Sequence, residues 1–113
     1  MLRKVTAMLV AGSLALLGTV AALAEEDHVA EALKHTEEAV THGKMGHADV
    51  LLEHANAALP HAEAAQKAQA NTHVAEGITH LKACIEHGGM KHADVATGHC
   101  EEAVTHLKAA KPQ

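Results

Sequence analysis

The stretch HVAEALKHTEEAVTHGKMGHADVLLEHANAALPH, residues 28–61, determines the fold. Its histidines follow one another at intervals of seven, seven, five, seven and seven residues. The same series of intervals is found over residues 73–106, where every histidine lies 45 positions after its counterpart. An internal repeat of this length indicates two copies of one supersecondary unit.

The pattern within each copy predicts a helical hairpin. Counted from each histidine, apolar residues fall at +1, +4 and +5, which lie together on one side of an α-helix, and the histidine flanks this apolar stripe. Gly43 and Gly88 stand in the middle of their copies, where we expect each to end a helix in the left-handed conformation. Asp27 and Thr72 are candidate N-caps. We predict helices at about residues 27–42, 47–66, 72–87 and 92–109.

Two hairpins that each have one narrow apolar face can bury it by packing together. We therefore predict an all-α fold, an antiparallel four-helix bundle made of two repeated hairpins. The domain covers residues 25–113, with the first repeat at about 27–66 and the second at about 72–111. Pro60 lies inside the second helix, where proline predicts a kink or, as the alternative, a split of the helix.

Residues 1–24 differ in kind from the rest of the chain. A basic start at Arg3 and Lys4 precedes an almost wholly apolar stretch, and Ala22-Leu23-Ala24 provides a cleavage site before Glu25. This arrangement predicts a secretory signal peptide that is removed on export. The alternative is an uncleaved membrane anchor. Cleavage would leave 89 residues with seven basic and 14 acidic side chains, and we expect no stable membrane association of this part.

The composition excludes several classes of function. A mature formal charge of −7 with neutral histidines repels nucleic acid and attracts cations. The chain contains no Phe, Tyr or Trp, so it can neither stack bases on aromatic rings nor build an aromatic core. The H-E-x-x-H motif, nucleophile elbows and phosphate-binding glycine loops are absent from the sequence, so we expect no enzymatic activity.

The histidine spacing predicts metal binding across each hairpin. Seven residues along a helix span about 10.5 Å, too far for two consecutive histidines to bind one ion. The residue numbers of histidines on opposite arms add up to 89 in the first copy and 179 in the second, which predicts three level pairs in each hairpin. The candidate ligands are His28, His35, His42, His47, His54, His61, His73, His80, His87, His92, His99 and His106.

Carboxylates provide the second type of candidate ligand. Glu31, Glu38, Glu76 and Glu102 lie three or four residues from a histidine, on the same side of their helices. Mixed shells of imidazole and carboxylate suit Cu(II) most, with nickel and zinc as the next candidates. We expect several exchangeable copper ions, about six at most, one for each histidine pair.

The cysteines and two of the methionines allow more than one interpretation. The numbers of Cys84 and Cys100 add up to 184, five residues out of the 179 register. The resulting axial offset of about 7.5 Å, added to a usual interaxial distance of 8–10 Å, predicts no disulfide. We expect buried core thiols, with Cys84 as an alternative soft ligand. Met45 and Met90, in the turns, are expected to close helix ends; thioether ligation of Cu(I) is the alternative.

The heptad histidines and the stretch GKMGHADV at residues 43–50 resemble the small metal-binding protein family, periplasmic histidine-rich four-helix bundles that bind copper and other divalent metals. The resemblance covers residues 25–111 and implies that the twelve histidines are ligands and that the chain scavenges or buffers metal in the periplasm. The cysteines and the variant GGMKHADV at 88–95 depart from the family pattern.

Two alternatives come from other classes of function. One is a bundle that binds haem b through two histidines, and the other is a structural or interaction bundle whose histidines respond to pH. We expect a monomer whose partners are metal ions, and the sequence identifies no protein partner.

Overall fold

The computed structural model describes residues 27–111, which form four helices. They are α1 (His28–Lys44), α2 (Ala48–Ala68), α3 (Thr72–Gly89) and α4 (Ala93–Ala110). Each helix packs against the next one in the chain, and α4 returns to pack against α1. The predicted all-α four-helix bundle of two hairpins is confirmed. The predicted signal peptide lies outside the described residues.

The helices begin and continue largely as the sequence predicts. Asp27 caps α1, where its side chain accepts a hydrogen bond of 3.0 Å from the Ala30 N–H. The cap of α3 is Asn71, which accepts from the N–H groups of His73 and Val74, so the prediction of Thr72 was wrong by one residue. Helix α2 runs through Pro60 without a split. Within residues 27–111, none of the helices combines the length and apolar character needed to cross a membrane.

The core consists of small and medium-sized side chains. Leu51, Leu81 and Leu107 are its largest fully buried members, and alanines fill most of the remaining positions. Leu107 of α4 packs against the α3 backbone at Gly77, where an added Cβ would lie 3.2 Å from the leucine Cγ. Because small residues dominate, neighbouring helices can approach each other closely.

Gly43 and Gly88 have a packing role, and the prediction that they adopt a left-handed conformation was wrong. Both are buried within their helices, on either side of Leu51. A Cβ at Gly43 would overlap the Thr97 hydroxyl and lie 2.6 Å from Leu51 Cδ1. The left-handed residues come three positions later, at Gly46 with φ of 79° and Lys91 with φ of 64°. Helices α1 and α3 therefore continue past these glycines and end later than predicted, at Lys44 and Gly89.

Cys84 and Cys100 form a disulfide between α3 and α4, and the prediction of two free thiols was wrong. Their Cα atoms are 5.4 Å apart and both side chains are fully buried. The prediction assumed that residues whose numbers add up to 179 lie level across the hairpin, but the Cα–Cα distance is shorter than the resulting axial offset of about 7.5 Å, so the two backbones are in fact close to level at Cys84 and Cys100. Each Cα also lies about 2.3 Å from its helix axis, so facing Cα atoms approach more closely than the axes do. The counterparts in the first copy, Ala39 and Ala55, are also fully buried, and their small size is the sequence signal for this close approach.

Ion pairs connect the two hairpins. Lys44 and Lys108 lie 3.0 and 3.1 Å from carboxylates of Glu101 and Glu37 across the α1/α4 boundary. On the α2/α3 side, the Lys91 ammonium donates to Asp49 at 2.8 Å, and this hydrogen bond, together with the positive charge of Lys91, holds the pKa of that carboxyl below its usual range. Each of these exposed pairs contributes little to stability. Together they place lysines next to carboxylates along the two boundaries between the hairpins.

We expect the disulfide to stabilise the bundle through its loop closure. The double change Cys84→Ala and Cys100→Ala should lower the free energy of unfolding by about 2–3 kcal/mol, because the cross-link removes entropy from the unfolded chain over a separation of 16 residues. Urea denaturation measures the difference. Reduction of the unaltered protein should reproduce the loss and should leave the double variant unaffected; equal stability of the oxidised protein and the double variant would contradict this account.

The two helical glycines Gly43 and Gly98 should respond in opposite ways to alanine. A Cβ at Gly98 meets no atom within 4 Å, so Gly98→Ala should stabilise the bundle by about 1 kcal/mol through helix propensity. Gly43→Ala gains the same propensity but crowds Thr97 and Leu51, and should cost about 1–3 kcal/mol. Thermal denaturation of both variants tests this, and a stabilising Gly43→Ala would show that the contact is not tight.

Candidate metal centre

Each hairpin carries a continuous row of six histidine rings along the groove between its helices. In the first histidine row, the rings alternate between α1 and α2 in the order His28, His61, His35, His54, His42, His47. In the second, they alternate between α3 and α4 in the order His73, His106, His80, His99, His87, His92. Neighbouring ring centroids are 5.4 to 6.2 Å apart.

The rows contain the predicted pairs and a second set of contacts that was not predicted. Histidines whose numbers add up to 89 or 179 are neighbours, as the spacing indicated. Those whose numbers add up to 96 or 186 are equally close, as in His42 with His54 at 5.5 Å. Side chains on a helix tilt toward its N-terminus, so in an antiparallel pair each ring falls between two rings of the partner. The grooves therefore hold continuous rows, where the sequence predicted separate level pairs.

Most of these rings are half-buried, and some of their ring nitrogens are buried. Among residues 27–111, Nδ1 of His35, His42 and His87 is buried without a hydrogen-bond partner. A buried polar nitrogen with no partner is energetically costly and usually has a structural or ligand-binding reason. These atoms lie inside the rows, between the arms of each hairpin, where a cation would satisfy them.

The four predicted glutamates lie beside the histidine rows. Glu76 Oε1 is 3.0 Å from Nδ1 of His106, and Glu38 Oε1 is 3.6 Å from Nδ1 of His35 and 3.7 Å from that of His54. Each of these carboxylates lies near a histidine of the opposite helix. A carboxylate in this position adds a negative oxygen ligand to two imidazoles and attracts cations into the groove.

Ligand atoms converge in four groups of three within the described residues. In each group, one atom from every residue lies within 4.8 Å of the others. The groups are Glu31 with His35 and His61, Glu38 with His35 and His54, Glu76 with His73 and His106, and Glu102 with His80 and His106. All four predicted carboxylates are thus brought together with two histidines from opposite arms.

The other six histidines lie in the rows but outside these groups: His28, His42, His47, His87, His92 and His99. His28 Nδ1 lies 3.3 Å from His61 Nδ1, so this pair already places two nitrogens near each other. His47 and His92 are the exposed N-cap residues of α2 and α4 and contribute no capping hydrogen bond from their side chains. These six rings offer nitrogen ligands without a third ligand nearby.

The sulfur side chains lie apart from these groups. Cys84 and Cys100 are joined in the disulfide, which leaves Cys84 without a thiolate to bind metal. Met45 and Met90 are 53% and 48% exposed in the two turns, so neither closes a helix end by burial. The three-ligand groups in the described part of the chain consist of imidazole and carboxylate alone.

The comparisons with known proteins agree with this chemistry. A family model described as small metal-binding protein matches residues 2–110, nearly the whole chain. No curated protein matches the sequence.

Proposed function

Since the chain belongs to the small metal-binding protein family, we propose that it binds several Cu(II) ions reversibly and buffers or scavenges copper in the periplasm. The observation that carries the proposal is the pair of histidine rows, in which carboxylates complete groups of two imidazoles and one oxygen. The buried Nδ1 of His35, which has no hydrogen-bond partner, supports the same interpretation, because His35 belongs to two of these groups and a bound cation would compensate for the desolvation of its ring.

Cu(II) is the metal that this ligand set favours. Imidazole and carboxylate ligands bind Cu(II), Ni(II) and Zn(II), and affinity for a common site is highest for Cu(II) in the Irving–Williams order. Three protein ligands leave further coordination positions to water. Ions held in this way exchange readily, which suits buffering better than permanent structural binding.

The geometry supports the two alternative functions, haem binding and a pH-responsive structural role, less well than it supports copper binding. A haem would need an enclosed apolar slot between its two axial histidines, whereas these rings line half-exposed grooves and lie next to each other, with centroids 5.5 Å apart for His42 and His54 and 5.4 Å apart for His87 and His99. A bundle whose histidines act only as pH-responsive charge would not need carboxylates placed to complete three-ligand groups. Copper titration, monitored also for a Soret band after incubation with haem, separates these functions.

We expect the periplasmic location to follow from removal of residues 1–24. The export proposal rests on the basic start, the apolar stretch and the Ala22-Leu23-Ala24 site. When the full chain is expressed in a Gram-negative host, mass spectrometry of the periplasmic fraction should find a protein that begins at Glu25. An uncleaved chain in the membrane fraction would contradict the proposal and favour a membrane anchor.

Copper loading should be multiple and should depend on pH. We expect the protein to bind between two and about six Cu(II) ions at saturation. Its melting temperature should rise as copper is added, because each ion stabilises the folded state by about 2.7 kcal/mol when the free copper concentration is a hundred times the Kd. Imidazole binds metal in its neutral form, and histidine side chains ordinarily take up a proton near pH 6.5, so loading should decline as pH falls through about that value.

Native mass spectrometry and thermal melts at several pH values provide the measurements. A saturated count of zero or one ion would contradict the proposed function. Full copper loading at pH 4 would mean that the histidines are not the ligands. An unchanged melting temperature on loading would show that binding is not coupled to folding.

A further inference from the structure

The four three-ligand groups form two overlapping pairs. Both groups of the first hairpin contain His35, and both groups of the second contain His106. Every other histidine in the four groups belongs to one group alone, as do all four glutamates. Each hairpin therefore has two candidate positions for an ion, and they have one ligand in common.

The overlap follows from a difference between the two copies. Glu31 and Glu76 occupy equivalent positions, but the second carboxylate of each hairpin has no counterpart: Glu38 corresponds to Ala83, and Glu102 corresponds to Ala57. The extra glutamate lies on α1 in the first hairpin and on α4 in the second. The shared histidine lies on that same helix, three residues before Glu38 in one case and four residues after Glu102 in the other.

The shared histidine cannot bind an ion in both groups through the same ring nitrogen. Each ring nitrogen has a single lone pair, so an ion bound at one nitrogen excludes another ion from that nitrogen. Two ions on opposite nitrogens of one ring would both be divalent, and their repulsion would be fourfold that of two unit charges at the same distance. The second position is therefore weakened when the first is occupied.

From this overlap, which rests on the proposed copper function, we infer that the two positions of each hairpin compete for one shared histidine, His35 in the first and His106 in the second. Each hairpin then binds one ion tightly, and further ions bind more weakly to the remaining imidazoles of the row. The tightly bound ion can move between the two positions while it keeps its bond to the shared ring, because only the other two ligands change.

Single histidine variants distinguish competition from independent sites. By native mass spectrometry under chelator competition, the unaltered protein should hold two tight Cu(II) ions. His35→Ala removes a ligand from both groups of its hairpin and should leave one tight ion. His54→Ala and His61→Ala each leave one group complete, so both variants should keep two tight ions with the affinity in the first hairpin reduced only about twofold, since one of two equivalent arrangements is lost.

The second hairpin provides the matched test. His106→Ala should lose one tight ion, whereas His73→Ala and His80→Ala should keep two, and the pair His35→Ala with His106→Ala should keep none. Each single variant removes one imidazole from a row, so the variants are chemically matched, and circular dichroism of each one checks that it is folded. If His35→Ala does not fold, the set at residues 73, 80 and 106 answers the question on its own.

The results that would overturn this inference differ from the result that would refute the proposed function. Loss of one tight ion in each of His54→Ala and His61→Ala would overturn the inference, because it would show that neither ring can be replaced by the other position of the hairpin. Four ions of equal affinity in the unaltered protein, with coupled copper signals in electron paramagnetic resonance, would also overturn it and indicate a bridging ring. No copper bound by the unaltered protein would instead refute the proposed function itself.

Discussion

The close approach of the two helices within each hairpin is the constraint on which the rest of the structure depends. Small side chains at facing positions allow this approach: glycine lies against leucine at Gly77 and Leu107, and at Cys84 and Cys100 the Cα atoms come to 5.4 Å. With the backbones this close, histidines at the edges of the apolar stripe meet across the groove with ring centroids less than 6.5 Å apart. Larger facing residues would separate the arms and leave imidazoles that cannot contribute to a common ion.

The four boundaries between neighbouring helices divide the surface by chemistry. The boundaries within hairpins carry histidines, and those between hairpins carry ion pairs of lysine with aspartate or glutamate. This separation has a functional consequence. Lysines at the histidine grooves would repel cations, whereas at the α1/α4 and α2/α3 boundaries they are neutralised by carboxylates and lie away from the rows.

The sequence predicted the helices, their pairing and the histidines and glutamates that meet across each hairpin, because these depend on periodicity within one copy. The heptad spacing places histidines on one flank whatever the neighbouring helix does, and Glu31, Glu38, Glu76 and Glu102 lie on the same side by their distance from a histidine. These features needed no knowledge of how one helix is displaced along another.

The sequence pattern did not determine how far the two helices of a hairpin are displaced along each other. A seven-residue repeat is consistent with level pairs and equally with rings that alternate, since both sets of pairs have constant number sums. Side-chain tilt decides between them, and so does the distance between facing backbones. The same two quantities explain why the disulfide and the packing role of Gly43 were not predicted. Both depend on how closely the helices approach.

The unequal divergence of the two copies separates the requirements of packing from those of the ligands. In the core, equivalent positions carry different apolar side chains: the second copy has Gly77 against Leu107, where the first has Ala32 and Ala62. Two buried alanines, Ala39 and Ala55, correspond to the disulfide cysteines. Both exchanges add side-chain volume to the second copy but keep the positions apolar, so packing at these positions requires apolar character and not one particular residue.

The histidines follow a different rule, because all six of the first copy have a histidine 45 positions later although residues on both sides have changed. Packing cannot account for this identity, since half-buried rings at a groove could be replaced by other polar side chains without altering the core. Replacement of one histidine would remove a ring nitrogen from the continuous row of its hairpin. Of the carboxylates, by contrast, only Glu31 and Glu76 are equivalent, whereas Glu38 and Glu102 have no counterpart in the other copy. The rows are therefore the part common to both copies, and under the proposed function the glutamates would determine where along each row an ion binds best.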